Sequence, residues 1–239
     1  MKYVYGPVRS RRLGFSLGIT TVPYKVCSFD CVYCQLSKTT NKTLERRGYV
    51  DEKDILAEVH TFFENKPQGL KVDFISFSGS GEPTLNSHLG SLIKGIRKIT
   101  DIPIVLITNS STLVEPLVRR QAAGVDLIIP SLDAVTQKEF ERIERPVKGL
   151  KINRIIDGLI AFKKIFKGRM WLEVMLVRGI NDSTDYLRKI KKVADRIKPD
   201  RVQINVPVRP PAELWVKPPC PAVLKKAKEI FGENCDIVC

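Results

Sequence analysis

Three cysteines close together in sequence are the residues of this chain whose chemistry is most distinctive. Cys27, Cys31 and Cys34 are separated by three and two residues, and they follow an apolar segment, 13–22, that is predicted to be a β-strand. Thiolates this close on one loop can surround a cluster of soft metal ions, because iron and sulfide favour sulfur ligands. Three ligands leave one iron of a four-iron cube open to a small molecule. A structural zinc site would need four ligands, and no fourth cysteine or histidine lies nearby in the sequence.

The spacing C-x3-C-x2-C, with Tyr33 just before the last cysteine, resembles the signature of the radical S-adenosylmethionine (radical SAM) superfamily. The resemblance implies a [4Fe-4S] cluster on Cys27, Cys31 and Cys34, with the amino and carboxylate groups of S-adenosylmethionine (SAM) on the fourth iron. Reduction then cleaves the sulfonium and yields a 5'-deoxyadenosyl radical, so an external electron donor is an expected partner. Tyr33 is expected either to stack on adenine or to shield the cluster.

A second motif, SGSGEPT at residues 78–84, is similar to the family's glycine-glycine-glutamate stretch, with Ser80 in place of the first glycine. Small residues let the backbone come close to a ligand, and Glu82 supplies an acceptor for an ammonium group. The resemblance therefore implies that Ser80, Gly81 and Glu82 bind the amino group of SAM.

Polar residues at the ends of later predicted strands, or inside them, are further candidates for binding the cofactor. Asn109 and Ser131 have groups suited to ribose hydroxyls or the methionyl carboxylate, as their family counterparts do. Glu173 and Asn181 are added as cofactor candidates on the same grounds. For Asp133 and Gln203, cofactor, substrate and scaffold roles all remain open, because a polar side chain inside a barrel is as often a structural hydrogen bonder as a ligand.

Segments with strand and helix character alternate along the chain. Strands are predicted at residues 13–22, 72–78, 102–108, 127–132, 170–177 and 201–208. Helical periodicity is found at residues 52–64, 89–99, 113–123, 136–143, 152–166 and 184–197. This alternation predicts parallel strands with right-handed crossovers, and the candidate residues fall after the carboxyl ends of strands, where barrels place active sites. The expected fold is therefore α/β, a partial (β/α)6 TIM-like barrel with short N-terminal and C-terminal extensions.

The composition fits a domain of ordinary size, which we expect to comprise residues 1–209, with a cysteine-containing extension at 210–239. The chain has 239 residues, and no apolar run approaches the length of a membrane span. The N-terminus lacks a signal-peptide core, so the expected location is the cytoplasm, where six cysteines favour metal or redox chemistry over disulfides. Forty lysines and arginines against 26 acids give a net charge of +14, which indicates either an RNA partner or merely a solvated basic surface.

Two segments lie outside the predicted βα units. Arg9, Arg11 and Arg12 are close in sequence to the cysteine loop, and they are expected either to hold an anionic substrate over the site or to form an arm on solvent. In the tail, a helix is predicted at 222–231, and its flanking thiols form a second triad. That triad predicts a second [4Fe-4S] cluster, with a disulfide, a redox-active pair or unrelated thiols as alternatives, and its members are Cys220, Cys235 and Cys239.

Within the superfamily, the stretches GPVRSRRLG (6–14), FDCVYCQ (29–35) and SGEPTL (80–85) look closest to the branch that contains wyosine-type tRNA-modifying enzymes. The function expected first is therefore radical modification of a tRNA base. The alternatives are a peptide- or protein-modifying radical SAM enzyme or glycyl-radical activase, and a non-catalytic metal-cluster module that binds RNA. No catalytic residue is assigned, because His60 and His88 are both expected to be surface or packing residues.

Overall fold

The computed structural model describes residues 1–238. Within this range the strands are β1 (Val4–Ser10), β2 (Gly14–Ile19), β3 (Val26–Cys27), β4 (Asn41–Lys42), β5 (Phe74–Phe77), β6 (Ile104–Thr108), β7 (Leu127–Pro130), β8 (Arg169–Met175), β9 (Arg201–Asn205) and β10 (Cys235–Val238). The α-helices are α1 (Glu52–Glu64), α2 (Leu89–Ile99), α3 (Pro116–Ala122), α4 (Gln137–Ile143), α5 (Ile152–Ile165), α6 (Thr184–Ile197) and α7 (Pro221–Phe231). Short 3-10 helices follow β5 and β6 at Pro83–Leu85 and Ser111–Val114.

The main sheet has eight strands in the order β1-β2-β5-β6-β7-β8-β9-β10. All neighbours from β2 to β10 are parallel, and β1 pairs with β2 in the antiparallel direction. Among the strands of residues 1–238, the two edge strands β1 and β10 do not pair with each other, so the barrel is open. The predicted partial barrel is thereby confirmed, and six of its parallel strands are the six predicted from sequence.

Two strands of the main sheet were not predicted from the sequence. β1 lies in the arginine-containing arm and has an irregular register between Tyr5 and Val8, where Gly6 and Pro7 interrupt the ladder. β10 lies in the predicted C-terminal extension and pairs with β9 from Cys235 opposite Val202. The tail therefore adds a seventh parallel strand through α7.

Helix α6 illustrates how the outer layer forms. Its buried side chains recur at helical spacing and face the sheet, and they are Tyr186, Leu187, Ile190, Ala194 and Ile197. Ser183 caps the helix by accepting a hydrogen bond from the backbone N–H of Tyr186, and the helix ends where Lys198 adopts a left-handed conformation. Burial of each large apolar side chain contributes about 2 kcal/mol, so packing decides the position of the helix.

The turn between β1 and β2 closes the amino-terminal end of the barrel. The hydroxyl of Ser10 accepts hydrogen bonds from the backbone N–H groups of Arg12 and Leu13, both at 3.2 Å. Leu13 is buried in a cluster with Val105 of β6 and with Leu127 of β7. None of the helices in residues 1–238 combines the length and apolar character needed to cross a bilayer.

Candidate functional site

The cysteine loop follows β2 and is fixed between two other segments. The backbone N–H of Lys25 donates to the carbonyl of Ser80 in the glycine-rich turn, at 2.6 Å. The N–H groups of Asp30 and Val32 donate to carbonyls at the end of α4, both at 2.9 Å. The sheet and α4 thus hold the loop at the carboxyl end of the strands, as the sequence predicted for an active site.

Two side-chain N–H donors face the sulfur atoms of this loop. The ammonium nitrogen of Lys25 lies 3.2 Å from the sulfur of Cys34, and the side-chain amide of Asn109 lies 3.5 Å from the sulfur of Cys27. Asn109 also donates to the hydroxyl of Ser28 at 2.9 Å. Hydrogen bonds of this kind stabilise thiolate sulfur and therefore suit a metal-bound cysteine.

The chemistry of the donor set fits an iron-sulfur cluster. Burial raises the pKa of the Cys27 thiol to about 12, with nearby Glu82 adding to the effect, and burial also raises the pKa of Cys31 well above its usual range. Such thiols stay neutral at pH 7 unless a bound cation stabilises the thiolate. Within residues 1–238, no group of three potential ligands is already arranged around a common metal position.

The glycine-rich turn shows why Gly81 is required next to the loop. A Cβ atom at Gly81 would lie 1.9 Å from the carbonyl oxygen of Val26, so any side chain there would displace the loop. Glu82 is buried, and its carboxylate accepts hydrogen bonds from the hydroxyl of Thr108 at 2.6 Å and from the backbone N–H of Asn109 at 2.7 Å. Burial raises the pKa of Glu82, and these hydrogen bonds oppose the rise. In this structure, Glu82 therefore orients Asn109.

Polar residues after neighbouring strands, or inside them, form a row across the sheet. Asn109 follows β6 and Ser131 follows β7, and both are partly exposed. In the strand register, Ser131 lies opposite Glu173 of β8, and Glu173 lies opposite Gln203 of β9. The structure thus brings these predicted polar residues onto adjacent strands, with Asn109 and Ser131 the accessible members.

Tyr33 is anchored by a buried carboxyl group. Its hydroxyl donates to Asp133, whose other oxygen accepts from the backbone N–H of Met175 at 2.8 Å. Burial raises the pKa of Asp133 to about 6, and burial together with Asp133 raises the pKa of Tyr33 well above its usual range. Asp133 therefore holds Tyr33 in place beside the cysteines.

Asn181 fixes the loop after β8. Its amide oxygen accepts from the N–H of Val177 at 2.7 Å, and its amide nitrogen donates to the carbonyls of Asp133 and Met175, both at 2.8 Å. It is fully buried. In contrast to its predicted cofactor role, both polar atoms of Asn181 contact backbone in this structure.

The arginine-containing arm lies away from the cysteine loop. Arg9, Arg11 and Arg12 belong to the β1–β2 hairpin at the amino-terminal end of β2, whereas the cysteines follow its carboxyl end. Arg9 is exposed, and Arg12 reaches into the barrel to form an ion pair with Glu173. The structure therefore does not bring these arginines over the cysteines, because β2 separates the two segments, and Glu173 is occupied by Arg12.

The described residues of the tail do not assemble the predicted second triad. Exposed Cys220 precedes α7, and Cys235 begins β10, buried among the side chains between sheet and helices. The 11 residues of α7 separate them, which corresponds to about 16 Å along the helix axis. Cys239 lies outside the described residues. Burial raises the pKa of Cys235 to about 11, as expected for a packing thiol.

Two residues near the site were missed by sequence reasoning. Lys25 is only 2 % exposed, and its position two residues before Cys27 was the available signal. Glu144 follows α4, is buried, and has a carboxylate oxygen without a hydrogen-bond partner among the described residues. Burial, reinforced by Asp133, raises the pKa of Glu144 well above its usual range. Nothing in the charged sequence around Glu144 indicated that it would be buried.

An irregular segment, residues 206–219, crosses the site, and we call it the strap. The backbone N–H of Glu213 donates to the carbonyl of Val32 at 3.0 Å, and its carboxylate pairs with Arg145 at 2.6 Å. Val216 is buried in a small cluster with Val32 and Met175. The strap thereby covers one side of the cysteine loop with apolar side chains.

Comparison with known proteins identifies relatives that match nearly the whole length of this chain. The family profile described as the radical SAM superfamily matches residues 21–206. A UPF0026 protein of Methanocaldococcus jannaschii is 39 % identical over 233 residues, which cover 98 % of this chain and 72 % of that protein. A protein named GTPase Obg from Brachyspira hyodysenteriae is 42 % identical over 236 residues, covering 99 % of this chain. The chain spans only 34 % of that relative's length. A more distant relative, from Endomicrobium trichonymphae, is named a probable dual-specificity RNA methyltransferase RlmN and is 28 % identical over 218 residues, covering 87 % of this chain and 60 % of that protein.

Solved structures share the fold at low sequence identity. A structure of TYW1 with a lysine-pyruvate adduct bound gives a TM-score of 0.65 at 18 % identity, covering 92 % of this chain and 74 % of that one. Streptococcus suis SuiB bound to the precursor peptide SuiA gives a TM-score of 0.69 at 16 % identity, covering 95 % of this chain and 50 % of that one.

Proposed function

The chain belongs to the radical SAM superfamily, and on that premise we propose that it is an enzyme that cleaves SAM reductively and uses the resulting radical to modify a tRNA base. When bound, the [4Fe-4S] cluster supplies one electron to the sulfonium of SAM, which releases a 5'-deoxyadenosyl radical. The single observation that supports this chemistry best is the partly buried cysteine loop with N–H donors facing two of its three sulfur atoms.

The roles of the chain's own residues follow from their positions. Cys27, Cys31 and Cys34 would hold the cluster as thiolates. Asn109 and Ser131, which are accessible at adjacent strand ends, would orient the nucleoside and methionyl groups of SAM. Glu82 would act mainly by fixing the backbone of Asn109.

Water exclusion is the second contribution of the chain. Val32, Met175, Val177 and Val216 are buried together beside the cysteine loop, with Tyr33 packed against them. An apolar enclosure of this kind prevents solvent from quenching a reactive species. Tyr33, which is held by Asp133, would present its ring to the adenine or the cluster.

Charge supports an RNA substrate. Exposed cations lie on the segment after Cys34, on the loop after β8 and on the strap, and they are Lys38, Lys42, Arg178, Arg209 and Lys217. Together with the net charge of +14, they suit a polyanion, whose binding is driven by counterion release. The relative named RNA methyltransferase is consistent with this choice.

Two measurements, made one after the other, test the proposal. After anaerobic reconstitution with iron and sulfide, the chain should convert SAM to 5'-deoxyadenosine with dithionite, and Cys31→Ala should abolish this while Cys220→Ala retains it. Mass spectrometry of tRNA from cells with and without the protein should then reveal a base that differs. A chain that holds only zinc, or that yields no 5'-deoxyadenosine, would refute the chemistry, whereas unchanged tRNA would refute only the substrate.

A peptide substrate is the second candidate because the strap exposes apolar side chains next to the site. Leu214 is 88 % exposed and Trp215 is 50 % exposed. A peptide could pack on these residues, and the fold shared with peptide-bound SuiB is compatible with this mode. Retention on immobilised tRNA that decreases steeply with salt would favour RNA, and tRNA retention no stronger than that of a lysozyme control would favour the peptide.

A further inference from the structure

A side pocket opens at the seam of the barrel, where the β1–β2 turn meets β9 and β10. Its volume is about 390 Å³, a size typical of small-molecule sites. Residues 236–238 of β10 form one part of its lining. The rest of the lining is three arginines, an aromatic ring and an amide, namely Arg11, Arg12, Arg201, Trp171 and Gln203.

The pocket carries an excess of positive charge. Arg12 pairs with Glu173, and Arg201 pairs with Asp236 at 2.7 Å. Arg11 pairs with no acid among the described residues, and its guanidinium meets only the backbone carbonyl of Val238, at 3.5 Å. Burial, together with the nearby positive charge of Arg11, lowers the pKa of Arg12 to about 10, so Arg12 remains charged at neutral pH beside a like charge. An anion near Arg11 would relieve this repulsion.

Gln203 supplies an independent indication of a ligand. Its side chain is in the pocket wall, the residue is 3 % exposed, and its amide oxygen has no hydrogen-bond partner among the described residues. A buried acceptor without a partner costs about 1–3 kcal/mol, so such atoms are normally satisfied by a ligand or by water. The amide oxygen of Gln203 needs a hydrogen-bond donor, whereas the guanidinium of Arg11 needs an oxyanion. A ligand that satisfies both must therefore carry both groups.

We propose that this pocket binds a small molecule that carries a phosphate-like oxyanion and a hydrogen-bond donor. The oxyanion contacts Arg11, with Arg12 and Arg201 as neighbouring charges, and the donor contacts the amide oxygen of Gln203. The guanidinium of Arg201 lies 5.7 Å from the ring centroid of Trp171, so this wall of the pocket is preorganised. The pocket lining includes no residue of the cysteine loop, so its occupation can be measured without cluster or SAM.

The test is calorimetric titration of the full chain, without reconstitution, with inorganic phosphate at constant ionic strength. Wild type should bind one phosphate saturably, and Arg11→Gln should weaken the binding at least tenfold. The matched control is Arg9→Gln, because Arg9 is an exposed arginine of the same hairpin that does not line the pocket. Thermal unfolding without phosphate confirms that each variant is folded. Wild type should bind a phosphorylated sugar more tightly than phosphate, because a sugar hydroxyl can donate to the amide oxygen of Gln203. Gln203→Leu, which keeps the arginines, should retain phosphate binding and lose this preference.

Three outcomes would overturn the proposal. They are the absence of saturable phosphate binding in wild type, equal affinity in Arg11→Gln and wild type, and an equal loss in Arg9→Gln. A second arm separates free ligands from RNA phosphates. Retention of tRNA should be the same for wild type and Arg11→Gln, and a loss of tRNA retention in Arg11→Gln without any binding of free phosphate would assign the pocket to RNA instead. Because this assay needs no radical chemistry, its result is independent of the proposed enzymatic function.

Discussion

The ammonium group of Lys25 lies 3.2 Å from the sulfur of Cys34 while the lysine is almost entirely buried. A buried cation is costly unless a counter-charge or hydrogen-bond acceptor compensates for it, and a thiolate provides both. The backbone of Lys25 has a φ of 60°, a conformation that non-glycine residues rarely adopt. This strained backbone conformation places the positive charge of Lys25 next to the sulfur of Cys34.

Replacement of Lys25 by methionine should lower the reduction potential of the reconstituted cluster. The lysine favours the reduced, more negative state, so its loss should reduce the equilibrium constant of one-electron reduction about tenfold, equivalent to ~59 mV. A redox titration followed by electron paramagnetic resonance measures this directly. Lys94→Met, at an exposed lysine of α2, is the control and should leave the potential unchanged. Equal potentials for Lys25→Met and wild type would contradict the electrostatic role.

Cys31→Ala should abolish iron binding at the first site. Two thiols on one loop hold a cluster poorly, so iron and sulfide per chain should fall by most of their wild-type amount. Cys220→Ala should retain full iron and sulfide, because Cys220 and Cys235 lie at opposite ends of α7. Metal analysis after anaerobic reconstitution decides both points, and a loss of about half of the iron in Cys220→Ala would support the second-cluster prediction.

Asn181→Ala should destabilise the chain by about 3 kcal/mol without reconstitution. The substitution leaves the buried carbonyls of Asp133 and Met175 and the N–H of Val177 without their side-chain partner. The free energy of unfolding from guanidinium denaturation measures the effect, and Asn41→Ala, at an exposed asparagine, is the control. A variant of unchanged stability that bound SAM weakly would instead support the cofactor role predicted from sequence.

The buried carboxyl group of Asp133 should make stability depend on pH. Burial raises its pKa from an ordinary value near 3.8 to about 6, so the folded state binds a proton more tightly than the unfolded state does. Its contribution to stability is therefore full below about pH 4, decreases as pH rises from about 4 to about 6, and is constant above.

The difference in unfolding free energy between wild type and Asp133→Asn measures this dependence together with that of Glu144, whose pKa Asp133 helps to raise. Other carboxyl groups, such as Asp200, have lowered pKa values and produce the opposite slope in both proteins. Wild type should lose stability relative to Asp133→Asn between pH 4 and pH 6. A difference that does not vary across this range would show that Asp133 titrates normally.

The alternation of strands and helices was sufficient to predict the parallel sheet, because each unit has a clear period and ordinary connections. β10 escaped detection because four residues after a turn carry little periodicity, and β1 because Gly6 and Pro7 break its pattern. The cysteine loop was predicted because three thiols at short spacing have few other uses.

The burial of individual charged side chains, and the end of the barrel at which a residue lies, could not be predicted from local sequence in the same way. Lys25 and Glu144 are charged residues, and they are buried because the cysteine loop and the end of α4 pack around them in the folded chain. Arg12 is near Cys27 in sequence, yet β2 carries the chain from one end of the barrel to the other between them. The separation of Cys220 and Cys235 by α7 was likewise not evident from their spacing, and the second cluster stays a prediction.

The open seam has a consequence for how molecules enter the barrel. Between the β1–β2 hairpin and β10, the described residues supply a single long hydrogen bond from Arg11 to Val238 rather than a ladder of strand pairing. The wall can therefore widen at this line while every backbone pair of the sheet remains intact. Passage from the side would leave these pairs in place and would be opposed instead by the ion pair of Arg12 with Glu173 and by the burial of Leu13.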